Sequence, residues 1–341
     1  MNAERFKAIT RRYSTLRLAV VGDLCLDRYL EIDPTLQEVS IETGLPVHNV
    51  VHVRAQPGAA GTILNNLVAL GVGAVFPVAF RGEDGEGYEL QQALERLPGV
   101  RLDHFAVTPD RRTFTYCKPL VMEPGVPPRE LNRLDSKNWS PTPLPLQDKL
   151  VASLRALAAV ADGIVIMDQV ETPETGVVTP RLLEAVNDVV RERPHLLVIA
   201  DSRRGLRGYP PVCLKMNAAE LATLTGAEPT APVEQLGAHA AGLARTHGKT
   251  VFVTLAERGI LAAEPQGRVC HSPALPVRGP IDIVGAGDAV TANLAAALTS
   301  GASLEEALEL ANAAASVVVH QLGTTGAAAV PDLAQLLGFA E

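Results

Sequence analysis

The chain has 341 residues, enough for one large α/β domain or two medium ones, and its 47% apolar and 20% charged content suits a globular protein with a substantial core. A formal net charge of -8 excludes a broad electrostatic grip on nucleic acid or anionic lipid, so any anionic ligand needs a local device. Cys25, Cys117, Cys213 and Cys270 are scattered without CxxC spacing, which argues against a disulfide framework or a cysteine metal site and for buried thiols in a reducing compartment.

Residues 1–23 are charged and helix-like, with an apolar run too short for a membrane span and no signal-peptide core, so a soluble, cytoplasmic protein is expected. Leu18-Ala19-Val20-Val21, ending in Gly22, reads as a buried parallel strand. Residues 31–56 break into short alternating runs around Pro34, Gly44 and Pro46, the pattern of strands outside the main sheet. A helix over 63–70, a strand over 73–79 and a helix over 87–97 follow. Residues 111–117 are again β-like and lead into proline-rich chain at 122–128. A small β lid is therefore expected from inserted segments of about 31–56 and 108–136. After a proline-rich connector at 140–145 come helix 146–161, strand 163–167, helix 181–193, strand 196–200, helix 233–246 and strand 250–255. Two alanine-rich helices, 289–299 and 304–319, end the series with no strand between them. This alternation predicts an α/β fold with a mainly parallel central sheet and helices on both faces, in a single domain over 1–341.

Four short patterns carry chemistry. Gly285-Ala286-Gly287-Asp288 opens a helix, and small residues there let consecutive N–H groups converge on an anion. The acid either caps the helix, the better reading of the tetrapeptide alone, or accepts the proton of an attacking hydroxyl. Asn217-Ala218-Ala219-Glu220 follows the strand-like residues 213–216. It fits a capping box as well as a pair holding water on Mg²⁺. Gly22-Asp23-Leu24-Cys25-Leu26-Asp27 sets two acids beyond the first strand, where α/β sheets bind ligands. Asp23 is read as a turn acid bonding its own backbone and Asp27 as an acceptor for sugar hydroxyls. Pro57-Gly58-Ala59-Ala60-Gly61-Thr62 permits either close ligand approach or close helix packing.

In this order the four patterns resemble the PfkB carbohydrate kinase family over nearly the whole chain. The resemblance implies a ribokinase-like three-layer α/β/α sandwich with a β lid, and an enzyme that phosphorylates a sugar or sugar phosphate with ATP and Mg²⁺. Asp282-Ile283-Val284-Gly285-Ala286-Gly287-Asp288 is similar to the DTxGAGD signature, which implies Asp288 as catalytic base and Gly285, Ala286 and Gly287 as the anion hole. Asn217 and Glu220 match NxxE, implying a water-mediated role toward Mg²⁺ and phosphate. Asp27, Gly58, Ala59 and Thr62 fall at sugar-binding positions, and Thr254, Gly259 and Asn312 at nucleotide-binding ones. Within the family, Gly22-Asp23-Leu24-Cys25-Leu26-Asp27-Arg28-Tyr29 is similar to the GDxxLDRY of the D-glycero-β-D-manno-heptose-7-phosphate kinase group. Asn132-Arg133-Leu134-Asp135, Asp201-Ser202-Arg203-Arg204-Gly205 and Leu322-Gly323-Thr324 also resemble that group. The nucleotidyltransferase domain fused in some of its members is expected to be absent. Ala59 and Thr62 stand where the family has Gly and Asn, and Ile283 and Val284 where it has a small polar residue and Thr. A K⁺ site at Asp282 therefore stays open. A phosphorylated substrate needs a cation, with Arg28, Arg54, Arg81 and Lys118 as candidates. A non-catalytic nucleotide- or sugar-binding relative and a kinase for another sugar or nucleoside are the alternatives, and a homodimer through the lid is expected.

Overall fold

The computed structural model describes residues 1–339. Helix α1 (Ala3–Thr10), capped by Asn2, precedes β1 (Arg17–Gly22), which is buried from Leu18 onward. From Gly22 the chain turns directly into β2 (Leu24–Ile32), the first strand of a second sheet. A Cβ at Gly22 would lie 2.1 Å from the Met167 carbonyl oxygen, so only glycine fits where the chain leaves the main sheet. Strands β3 (Glu38–Val39) and β4 (Pro46–Val47) pair with each other, and β5 (Val50–Ala59) returns antiparallel to β2 and runs without a break into α2 (Ala60–Ala69). Next come β6 (Ala74–Gly82), α3 (Gly85–Glu95) and β7 (Phe105–Thr108). The second sheet is completed by β8 (Thr115–Val121), β9 (Arg129–Glu130) and β10 (Leu134–Ser136).

The rest alternates as α4 (Leu144–Val160), β11 (Gly163–Asp168), α5 (Pro180–Glu192), β12 (Leu197–Ser202), β13 (Cys213–Asn217), α6 (Ala218–Thr225), α7 (Val233–His247) and β14 (Val251–Thr254). Strands β15 (Ile260–Ala263) and β16 (Val269–Ser272) and helices α8 (Ala286–Thr299), α9 (Leu304–Val318) and α10 (Val330–Leu336) follow. The main sheet has the order β16-β15-β14-β13-β12-β11-β1-β6-β7, parallel from β7 to β14, with an antiparallel edge at β15 and β16. Helix α8 is buried from Ala289 to Ala297, which its short side chains allow against α2, α9 and the sheet. Among the described residues no helix is long and apolar enough to cross a membrane.

The second sheet, ordered β10-β8-β2-β5 with β9 beside β8, is built from the segments expected to form a lid. It begins at Leu24 rather than residue 31, because Leu24-Cys25-Leu26 pairs with 57–59 of β5 and 114–115 near β8. Residues 57–59, at the start of the small-residue stretch 57–62, are the end of strand β5. Asp23 also departs from expectation: it bonds not its own turn but the N–H groups of Gln169 (2.9 Å), Val170 (3.1 Å) and Val177 (2.7 Å). Burial, then the Asp168 charge, pushes its pKa up to about 6 against those three donors. Arg111, buried and without an ion pair among the described residues, ties down the chain before β8 through the carbonyls of Ser140 (2.8 Å) and Thr175 (2.7 Å). One loop, 169–177, thus anchors both exits from the main sheet.

Candidate active site

Gly285 takes a left-handed conformation at φ 83°, and α8 starts one residue later. The positive φ favours glycine, and a Cβ there would be tight against Thr325 Cγ2 at 3.0 Å and in ordinary contact with Thr62 Cγ2 at 3.5 Å. Thr62, fully buried at the start of α2, thereby abuts the start of α8. The Ala286 N–H makes a long 3.3 Å turn bond to the Ile283 carbonyl. The Gly287 N–H takes no acceptor outside the helix among the described residues.

Asp288 lies in the first turn of α8, half-buried, and its carboxylate takes none of the helix's own N–H groups. Desolvation, then repulsion from Asp201, pushes its pKa up to about 7 against the attraction of Lys215 and Arg203, and Asp27 adds to the rise. Asp27 and Asp288 are therefore within electrostatic reach of each other. Beneath the turn, Lys215 from β13 holds Asp201 from β12 at 2.7 Å, with both side chains buried. A Cβ on Gly287 would sit 3.0 Å from the Lys215 ammonium, which places that charge directly under the first turn of α8. Desolvation works against the ammonium, but the Asp201 carboxylate prevails and its pKa is raised. Arg203 is exposed, within electrostatic reach of Asp288 and Glu220.

Asn217 and Glu220 form a full capping box on α6: Glu220 N donates to Asn217 Oδ1 at 2.9 Å, and Asn217 N to Glu220 Oε2 at 2.7 Å. Burial raises the Glu220 pKa, with Asp201 and Lys215 nearby, so the box stands beside the same buried ion pair.

On the second sheet Asp27 is buried in β2 and bonds Lys118 of β8 at 3.1 Å; the ammonium also reaches Tyr29 Oη at 3.3 Å. A Cβ on Gly58 would clash with Asp27 Oδ2 at 2.4 Å, so Gly58 lets the acid lie against the strand. Ala59 has φ 56° and ψ -120°, a conformation rarely held by a residue with a Cβ. Of the other cations proposed for a substrate phosphate, Arg28 pairs with Glu89, Arg54 with Glu31 and Arg81 with Gln91.

Thr254 is in register with Asn217 and so connects the box to the β14–β16 edge. There a Cβ on Gly259 would lie 2.0 Å from the Ser272 carbonyl oxygen. Asn312 is buried and turns its amide NH₂ toward Ser272 and Pro273, so it acts as a strut of this edge and does not present that amide to a ligand. Asp282 Oδ1 accepts from Val284 N at 3.0 Å in a tight turn, while Ile283 and Val284 point outward. Sequence reasoning passed over Lys215, Asp201 as its partner, and Lys118 as the partner of Asp27. The available signal for the first was a lone cation inside the apolar run Cys213-Leu214-Lys215-Met216.

Residues 177–331 match the family model described as "pfkB family carbohydrate kinase". Proteins named "Bifunctional protein HldE" are similar over most of the chain: that of Azorhizobium caulinodans is 33% identical over 90% of this chain and 61% of its own length. That of Gluconacetobacter diazotrophicus is 31% identical over 95% of this chain and 64% of its own. The chain thus spans somewhat under two thirds of these relatives. Among solved structures, Escherichia coli phosphofructokinase-2 with substrates and products superposes at a TM-score of 0.70, with 18% identity, over 95% of this chain and 99% of that one. Arabidopsis thaliana ribokinase with ribose and ATP does so at 0.63, with 22% identity, over 95% and 98%. The fold is ribokinase-like, and residues 177–331 are similar to the pfkB carbohydrate kinase family.

Proposed function

We propose that the protein is an ATP-dependent carbohydrate kinase acting as one unit of main sheet and lid, and that its acceptor is a sugar already carrying a phosphate, such as a heptose 7-phosphate. The observation that carries the reading is Asp288: a half-buried acid at a helix N-terminus, with a pKa near 7, opposite the hydroxyl-accepting Asp27. A base poised near neutral pH is partly free to accept a proton and strong enough to do so. The sugar lies between Asp27, residues 58–62 and the lid. As its hydroxyl oxygen attacks the γ-phosphorus of ATP, the proton passes to Asp288, the new O–P bond forms and the bond to the bridging oxygen breaks, releasing ADP. The Gly287 N–H, the helix dipole and Lys215 stabilise the charge on the transferring group.

Among the described residues no three His, Cys, Asp or Glu side chains converge as a metal cage. The donor set instead fits a Mg²⁺ ion held through water by Asn217 and Glu220 and by the phosphates, where it would neutralise phosphate charge. A monovalent cation at Asp282 would have to use backbone oxygens beside the Oδ1 already engaged.

The phosphorylated acceptor is supported by the GDxxLDRY likeness and by Lys118, a cation within the cleft beside Asp27. A homodimer through the lid is supported by exposed Val39, Ile41, Leu45 and Val51, and a cytoplasmic setting by four free thiols. Steady-state assays on matched phosphorylated and unphosphorylated sugars are expected to give product with the former. Turnover of unphosphorylated sugars or nucleosides alone would remove the heptose-phosphate version. Tight sugar or nucleotide binding without any product would favour a non-catalytic binding protein.

A further inference from the structure

Buried ion pairs contribute little net stability, because desolvating both charges offsets their attraction, and apolar pairs often serve as well. Lys215 and Asp201 form such a buried pair between neighbouring strands, and the ammonium lies under a helix N-terminus, whose partial positive charge repels it. Packing alone gives no reason for this placement. Two further observations point at a ligand. The only acceptor for the Lys215 ammonium among the described residues is Asp201, so two of its three hydrogens have no protein partner. Thr291, buried on the next turn of α8, places Oγ1 3.3 Å from the same Asp201 oxygen, which ties the carboxylate to the helix that carries Asp288.

We propose that Asp201 is a positioning residue for phosphoryl transfer: it holds the Lys215 ammonium beneath the first turn of α8, with two N–H bonds free for the transferring phosphoryl group, and it keeps that ammonium from pairing with Asp288. This rests on the kinase reading above. Without Asp201, Lys215 turns to the nearest remaining anion, Asp288, and the base becomes a salt-bridge partner.

The groups facing Asp288 are Asp201 on β12, Arg203 just after it, Lys215 on β13, and Cys25 and Asp27 on β2. Neutralising Asp201 removes a like charge and releases Lys215 toward Asp288, and both changes favour the ionised base. The acid limb of kcat/KM in Asp201→Asn is therefore expected to move to lower pH by about one unit, with kcat reduced at least about tenfold. A purely structural role would lower the melting temperature and leave the limb in place.

The double variant Asp201→Asn/Lys215→Met leaves no orphaned buried charge and keeps the test readable if the single variant unfolds. It is expected to lose about 100-fold or more in kcat and to match Lys215→Met alone, because Asp201 acts through Lys215. An unmoved limb in Asp201→Asn, or near-wild-type kcat in the folded double variant, would overturn the inference while wild-type turnover kept the kinase reading intact. Absence of wild-type turnover on every sugar would instead sink the kinase reading.

Discussion

Asp288 and Ala59 show how single residues are held in costly states at this cleft. The Asp288 carboxyl has a folded pKa near 7 against an ordinary value near 4, so the folded protein binds the extra proton between those limits. Stability should therefore decline as pH rises through this window, while activity rises as the base ionises. Asp288→Asn is expected to cut kcat by about 10²–10⁴-fold with ATP affinity nearly unchanged, and to raise the melting temperature at pH 8 more than at pH 5. Calorimetry at both pH values together with initial rates would check this, and a destabilised variant at pH 8 would contradict it. Ala59 occupies backbone space natural to glycine, and a residue so held costs on the order of 1–3 kcal/mol. Ala59→Gly should stabilise the fold by about 1 kcal/mol in denaturant titrations, and a loss of stability would mean the strain is only apparent.

At the scale of elements, the box on α6 caps the helix, and the proposed function gives it a second task toward Mg²⁺ that its spacing alone cannot separate. Gln satisfies the same reciprocal hydrogen bonds as Glu but carries no charge. Glu220→Gln is thus expected to keep its melting temperature and to need several-fold more Mg²⁺ for half-maximal rate. An unchanged Mg²⁺ requirement would reduce the pair to a helix cap. Asn217→Ala should cost about 1 kcal/mol through the cap itself. Helix α8 shows the converse: its N-terminus has no side-chain cap, because Gly285 at its start holds a left-handed conformation that favours glycine.

Across the whole molecule, loop 169–177 links the two places where the chain passes from the main sheet to the second, through Asp23 at one and Arg111 at the other. Arg111→Met leaves the Ser140 and Thr175 carbonyls without their donor and should destabilise by about 2–4 kcal/mol. Looser lid closure admits water, so ATP hydrolysis without sugar should rise relative to transfer. A variant with normal coupling would show that Arg111 only braces the fold.

The order of strands and helices was legible from sequence because period and apolar runs are local properties. Strands 163–167 and 250–255 and the paired alanine-rich helices were placed to within a few residues. The edge strands β15 and β16 were not foreseen, since short antiparallel strands gain their identity from the neighbour they pair with. The same holds for β2: 24–26 looks like a continuation of a buried run until β5 supplies its partner.

What the sequence determined by itself is the set of local devices: the glycine turn before α8, the acid in its first turn, the capping box on α6 and the order of these along the chain. Only the tertiary structure decided which charges meet. Lys215 and Asp201 are fourteen residues apart and Lys118 and Asp27 ninety-one, and no local rule pairs them. Side chains on neighbouring strands come within hydrogen-bond distance only when the sheet sets their register. Electrostatic energy in a desolvated cleft depends steeply on that distance.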